Sequence, residues 1–205
     1  MVQAIPKLVT FQQFVDWLPE SGRYELHNGV IVEMLLTGAH EVVVGLLNRK
    51  VNVWLDQQAL NYFIPNTAII QPLGFPSGYR PDLMLVDPAG LRKEPLWKKE
   101  SVITSGDTVK LAIEVVSANW PDDYARKFED YEAMGIAEYW ILDYQGLGGR
   151  RYIGSPKQPT ATVCLLVDGV YETQLFRGKD TIVSASFPEL QLSMTQVLQL
   201  VSAAD

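Results

Sequence analysis

Apolar side chains recur at helical intervals near the start of the chain, where Phe11, Phe14, Val15 and Leu18 share one face ahead of Pro19, and Thr10 and Gln13 have the capping-box spacing. A short opening helix is predicted. Strand-like runs over 23–26 and 30–35 flank Asn28-Gly29, which predicts strand, tight turn, strand. From residue 40 to about 58, Val43, Val44, Leu47, Val51, Trp54 and Leu55 repeat near the helical period and predict the longest helix. Short strands are predicted over 61–64 and 68–71, and another over 80–86 that is entered through Pro81. Residues 87–107 mix Pro88, Gly90, Pro95 and Gly106 with Arg92, Lys93, Lys98 and Lys99, the pattern of an exposed basic connection with room for one helical turn. Residues 111–116 are apolar on both alternating faces except at Glu114, as in a central strand buried on both sides. A helix that begins at Asp122 or Asp123 and ends at Gly135 leads into a strand over 138–142. The last third predicts strands over 162–167, 170–176 and 181–184, a hairpin turn at Asp168-Gly169, and a final helix over 194–201.

Composition narrows the class. The chain has 205 residues, 47% of them hydrophobic and 20% charged, which suits one globular domain over residues 1–205, and no repeat or linker divides it. No apolar run approaches the roughly 18 to 20 residues of a spanning helix, and the N-terminus lacks the order of a signal peptide, so a soluble cytoplasmic protein without a membrane partner is expected. Cys164 is the single cysteine, which excludes an intramolecular disulfide and a cysteine-built zinc site, and His27 and His40 are too few for an imidazole cage. A net charge of -7 opposes non-specific attraction to nucleic acid, although bound divalent cations can dominate the local charge of an acidic hydrolase.

Two acids stand out in core-like strands, Asp82 and Glu114. An ionised carboxylate buried there is costly unless something pairs with it. Magnesium takes such oxygen ligands, and the two carboxylates with the Val115 carbonyl and a substrate phosphate would make a plausible shell. The same residues also suit a plainer arrangement, with the Asp bonded to a loop amide and the Glu in a buried salt bridge. On the following helix, a step of about 100° per residue puts Tyr124, Phe128, Tyr131 and Met134 in one arc, with Lys127 inside it and Asp123 at its edge. Arg126, Glu129 and Asp130 point away from that arc. An Asp123 to Lys127 ion pair is the simplest use of the lysine. An inward lysine after the Glu114 strand could equally reach the same end of the sheet and act on developing phosphate charge.

The ordered set Pro81-Asp82, Glu114-Val115-Val116-Ser117, Asp123, Lys127, Tyr131, Gly135 and Glu138-Tyr139-Trp140-Ile141-Leu142-Asp143 resembles the putative restriction endonuclease family of the PD-(D/E)XK nuclease superfamily. Tyr24-Glu25-Leu26 before Asn28-Gly29, and His40 at the start of the long helix, match the same family. The similarity runs from Thr10 to Leu192. The superfamily signature has a lysine two residues after the second acid, where this chain has Val116; the resembling family shares that departure and is thought to use a lysine on the next helix. The resemblance therefore implies Asp82 and Glu114 as metal ligands, Lys127 as the catalytic lysine, magnesium or manganese as cofactor, a 5'-phosphate product and a homodimer. His40 and Glu41 are accessory candidates, each equally readable as an exposed helix-start residue. Asp123 is a further candidate, and so is Glu25, although a hairpin carboxylate is usually solvated.

Other chemistries find little support. Ser117 lacks a nucleophile-elbow context, no Gly-rich phosphate loop or dinucleotide fingerprint is present, and Tyr139 and Trp140 read as core. The expected fold is α/β: a restriction endonuclease-like core with a central mixed sheet flanked by helices, an N-terminal helix and hairpin, and additional C-terminal strands. The expected activity is metal-dependent hydrolysis of DNA phosphodiester bonds. Its rivals are an inactive nuclease-fold module for DNA binding or oligomerisation, and a metal-dependent phosphoesterase on a non-DNA substrate. A steep salt dependence of binding would mark a polyphosphate partner.

Overall fold

The computed structural model describes residues 8–190 and 192–204. Helix α1, Phe11–Trp17, starts with the predicted box, in which the Thr10 side chain accepts from the Gln13 amide and Gln13 caps the Thr10 amide in return. Strands β1, Tyr24–His27, and β2, Val30–Glu33, pair antiparallel around Asn28 and Gly29, at φ 49° and 83°. Both turn positions need positive φ, which asparagine tolerates and glycine adopts freely.

A five-stranded sheet forms the centre. Its order is β4, Leu83–Val86; β6, Val109–Val115; β7, Glu138–Asp143; β8, Thr160–Val167; and β9, Val170–Arg177. Strands β6 and β7 are parallel and the other neighbours antiparallel, so the sheet is mixed, with β6 inside it. Helix α2, Gly38–Gln57, covers one face together with α7, Met194–Ala204: Val43, Leu47, Val51 and Leu55 pack there on Leu111, Ile113 and Val115. The opposite face, carrying Ala112 and Val116, packs on Tyr124, Tyr131 and Ile136 of the segment that holds helix α5, Lys127–Met134. Side-chain alternation along β6 thus sends Glu114 and Val116 toward α5 and Val115 toward α2.

A smaller ribbon lies beside this sandwich. Strand β1 bridges to Gly78, Tyr79 bridges to β3, Ile69–Ile70, and β3 runs parallel to β5, Val102–Ile103. Phe11, Phe14, Leu26, Ile69 and Val102 form its core. A Cβ on Gly78 would come within 2.8 Å of the Phe11 ring, so glycine is required for this approach.

Several boundaries differ from expectation. The basic connection holds two helical turns, α3, Pro88–Leu91, and α4, Trp97–Glu100, as well as β5. The strands predicted over 61–64 and 181–184 shrink to isolated bridges, Phe63 to Val86 and Thr181 to Ser193, because neither run has a continuous partner. Asp82 immediately precedes β4 instead of lying within it. The helix before Gly135 opens with a π-helical turn over Asp122–Arg126, so the uniform 100° step does not hold there. Lys127 still faces inward because Tyr131, one turn on, shares its buried face. A short helix α6, Arg150–Ile153, was not foreseen. Among the described residues no helix is long and apolar enough to cross a membrane.

Candidate active site

Three elements converge at the C-terminal end of β6. The register that pairs Leu83 with Ile113 brings Asp82 level with Glu114. The π-helical turn and α5 then lay Asp123 and Lys127 over the same end, and β1 brings Glu25 and His27 to it from the ribbon. The cleft between them is lined by five carboxylates, Glu25, Asp82, Glu114, Asp122 and Asp123, against one ammonium, and leaves a free volume of about 10 Å³.

Lys127 is the hub. Its side chain is 1% exposed, and Nζ lies 3.0 Å from Glu114 Oε1, 3.2 Å from Glu25 Oε1 and 3.4 Å from Asp123 Oδ1. It also sits 5.8 Å from the centre of the Tyr79 ring. The expected Asp123 pair is present, as the longest of three contacts. Burial opposes the ammonium charge, but Glu114, Glu25, Asp123 and Asp82 together hold its pKa well above the usual value. Glu114 Oε1 accepts a second hydrogen bond, from the Tyr131 hydroxyl at 3.1 Å. Burial, aided by the neighbouring acids, nevertheless pushes the Glu114 carboxyl well above the ordinary carboxylate range despite Lys127. Burial likewise raises Asp123 to about 7. For Glu25 burial is again the largest influence, but Lys127, His27 and the Arg80 amide overcome it and take the carboxyl to about 2.

Asp82 has a different environment. Its Oδ2 accepts from the Val115 amide at 2.7 Å and lies 3.0 Å from His40 Nε2, while Oδ1 pairs with Arg23 at 2.9 Å. The plainer arrangement for the two acids is therefore present: an amide-bonded Asp and a salt-bridged Glu. Val115 lines the cleft, with its N–H committed to Asp82. His40 is buried at the site and Glu41 is exposed, so the two accessory candidates separate. Glu25 is fully buried, contrary to the solvated hairpin carboxylate expected, because the ribbon presses it against Lys127.

Sequence reasoning missed Arg23 and His27. His27 Nε2 lies 2.8 Å from Glu25 Oε2, and its Nδ1 faces Arg126 Nη1 at 2.8 Å and Asp122 Oδ2 at 3.5 Å; burial opposes a charge on the ring, but hydrogen bonds to Asp122 and Glu25 raise its pKa above the usual value. The i,i+2 spacing of Glu25 and His27 on one strand face was the available signal. The end acids of the strand over 138–143 serve structure: Glu138 accepts from Trp140 Nε1 and the Ser186 amide, and Asp143 from the Leu147 and Gly148 amides.

The donor set suits a hard divalent cation, since its carboxylates outnumber the single lysine and the free space is about that of one water-sized sphere. Among the described residues, no three acidic, histidine or cysteine side chains already surround one ion-sized point, so loading would require the carboxylates to turn from their present partners.

Comparison with solved structures finds a fold match to a crystal structure of "a putative nuclease belonging to DUF820" from Anabaena variabilis ATCC 29413. The TM-score is 0.68 at 17% identity, over 94% of this chain and 99% of that one. No curated protein matches the chain. The family model Uma2, described as "Putative restriction endonuclease", matches residues 11–195, and the chain belongs to that family.

Proposed function

We propose that the chain is a metal-dependent endonuclease that hydrolyses phosphodiester bonds of DNA and leaves a 5'-phosphate. The observation that carries this reading is the fully buried Lys127 ammonium, 3.0 Å from Glu114, on the helix that follows the central strand. Asp82 and Glu114, with the Val115 carbonyl, would hold magnesium or manganese, and Glu25, Asp123 and His40 would support them. Such a cation supplies Lewis-acid polarisation of the phosphate and acidification of water. Lys127 keeps a fixed positive charge beside Glu114, where it can donate a hydrogen bond to the attacking water and offset charge that develops only in the transition state. Tyr131 orients that lysine by holding Glu114, and Glu25 does so by direct contact. His40 and Arg23 hold the Asp82 carboxylate, and His27 does the same for Glu25. We further propose one domain over residues 1–205, a homodimer on duplex DNA and a cytoplasmic location.

One observation favours a second reading. Asp82 already has an amide, an imidazole and a guanidinium as partners, as it would in an inactive nuclease-fold module that binds DNA. Plasmid nicking in magnesium or manganese, compared with chelator, separates the two: the endonuclease relaxes the plasmid only with metal, and the module shifts its mobility without cutting. A thermal-shift titration adds the site. Either cation should raise the melting temperature of the wild type, and Asp82→Ala and Glu114→Ala should each remove the rise. Equal shifts in both variants would exclude these ligands.

A further inference from the structure

Beyond the catalytic cleft, the same face of the sheet carries a second cavity of about 220 Å³ under the π-helical turn and α6. At roughly 30 Å³ per water this is room for one ring system, and too little for an extended ligand. Tyr124 and Tyr152 stack in its wall, with centroids 4.9 Å apart and planes inclined by 25°. Trp120 meets both edge-on, at 6.4 and 6.2 Å. Exposed Arg151 lies at the rim, its guanidinium 5.9 Å from the centre of the Tyr152 ring.

Two neighbouring polar groups there have no hydrogen-bond partner elsewhere in the fold. The Tyr124 hydroxyl and Thr162 Oγ1 are buried, in side chains only 4% and 5% exposed, and neither has a hydrogen-bond partner of acceptable geometry. Even if they turned toward each other, one of the two hydroxyl protons would remain unused. Buried polar groups are normally satisfied, so hydroxyls with no partner elsewhere in the fold suit the polar edge of a ligand in this cavity. Burial also raises the Tyr124 phenol above its usual pKa, which keeps it a proton donor.

The loop that packs on Tyr124 and Trp120 is built for close approach. A Cβ on Gly148 would come within 3.0 Å of the Tyr124 ring, and one on Gly149 within 3.1 Å of the Trp120 ring. The buried Asp143 carboxylate holds the Leu147 and Gly148 amides at 2.9 and 2.7 Å, which fixes this loop against the aromatic wall. That gives Asp143, the final acid of β7, a purpose outside the catalytic cleft.

We infer that this cavity receives one nucleobase of the nucleic acid held at the neighbouring site, an inference that rests on the nuclease reading. The base lies against the Tyr124 and Tyr152 wall, the unsatisfied hydroxyls bond its polar edge, and Arg151 meets the adjoining phosphate. Tyr124 directly follows Asp123, so the helix that supplies the catalytic cleft also supplies the base pocket. An unpaired or extruded base beside the cut bond is the unit that fits.

Calorimetric titration of the metal-free wild type with thymidine and deoxyadenosine 5'-monophosphates, against deoxyribose 5-phosphate, tests the pocket without asking for cleavage. The nucleotides should bind about fivefold or more tightly than the sugar phosphate. Thr162→Val removes the hydroxyl at nearly constant volume and Tyr152→Leu removes the ring; each should lower nucleotide binding and leave sugar-phosphate binding unchanged. Equal binding of nucleotide and sugar phosphate, no nucleotide binding, or a preference that survives both substitutions would overturn the inference. Nucleotide preference without DNA cleavage would count against the nuclease reading alone.

Discussion

Replacing Lys127 with methionine removes the only ammonium in the cleft at little change in length. Three carboxylate oxygens within 3.4 Å would lose their common cation in a place that solvent barely reaches. Removing one partner of a buried ion pair costs roughly 3 to 5 kcal/mol. Two effects bound that figure here. Burial already favours a proton on Glu114 and on Asp123, which softens the loss, whereas Glu25, held at about 2 largely by Lys127, must give up its strongest partner. For a chain of this size about 1 kcal/mol corresponds to roughly 2 to 4 °C, so the metal-free variant should melt about 6 to 20 °C below wild type. The deficit should be smaller at pH 5.5, where the acids take up protons, than at pH 8. Saturating magnesium should recover part of it, because a divalent cation replaces the missing charge. Urea unfolding followed by circular dichroism, with and without metal, reads all three effects. A metal-free loss below about 1 kcal/mol, typical of an exposed pair, would refute the picture of Lys127 as the charge that holds the cleft together.

Asp82→Asn separates repulsion from hydrogen bonding. The sequence suggests relief of like charge beside Glu114 and a gain in metal-free stability; the three donors on Asp82 reverse the sign, and a loss of about 1 to 3 kcal/mol in chemical denaturation is expected. The raised carboxyl of Asp123 gives a pH signature. Its folded pKa of about 7 lies above the ordinary value of 3.8, so the folded state holds more protons between them, and that contribution to metal-free stability is lost as pH rises toward and through 7. Wild type without metal should therefore be less stable at pH 8 than at pH 6, Asp123→Asn should flatten the difference, and the magnesium-induced thermal shift should grow over the same interval. Val116→Lys combined with Lys127→Ala should restore part of the cleavage lost by Lys127→Ala, since Val116 and Glu114 face the same side of β6. A double variant that folds with metal yet cleaves no better than Lys127→Ala would place the two positions in different catalytic volumes.

Local signals carried far in this chain where the cause was local. Asn28-Gly29 and Asp168-Gly169 adopt the positive φ values their side chains allow, 49° and 83° for one and 51° and 83° for the other. The run over 111–116, apolar on both faces, singled out Glu114, and helical spacing turned Lys127 inward despite the π-helical turn. What escaped depends on distant neighbours. Glu25 became a buried acid because Gly78 admits the ribbon's close packing and Lys127 waits across the cleft. Asp82 found Arg23 just before the neighbouring β1 and His40 on α2, which no spacing within its own strand could announce. The two-residue strands β3 and β5 are too short for any periodicity to develop.

Single-turnover cleavage of a labelled DNA duplex, with enzyme in excess and magnesium or manganese present, tests the catalytic claim most directly when wild type is set beside Lys127→Met and the folded state of each is verified by circular dichroism in the same buffer. The account predicts metal-dependent cleavage by wild type, and a folded, metal-binding Lys127→Met protein whose cleavage falls by at least about a hundredfold, the scale expected for loss of one donor to developing charge. Cleavage by Lys127→Met at the wild-type rate would contradict it and leave Lys127 as a structural cation.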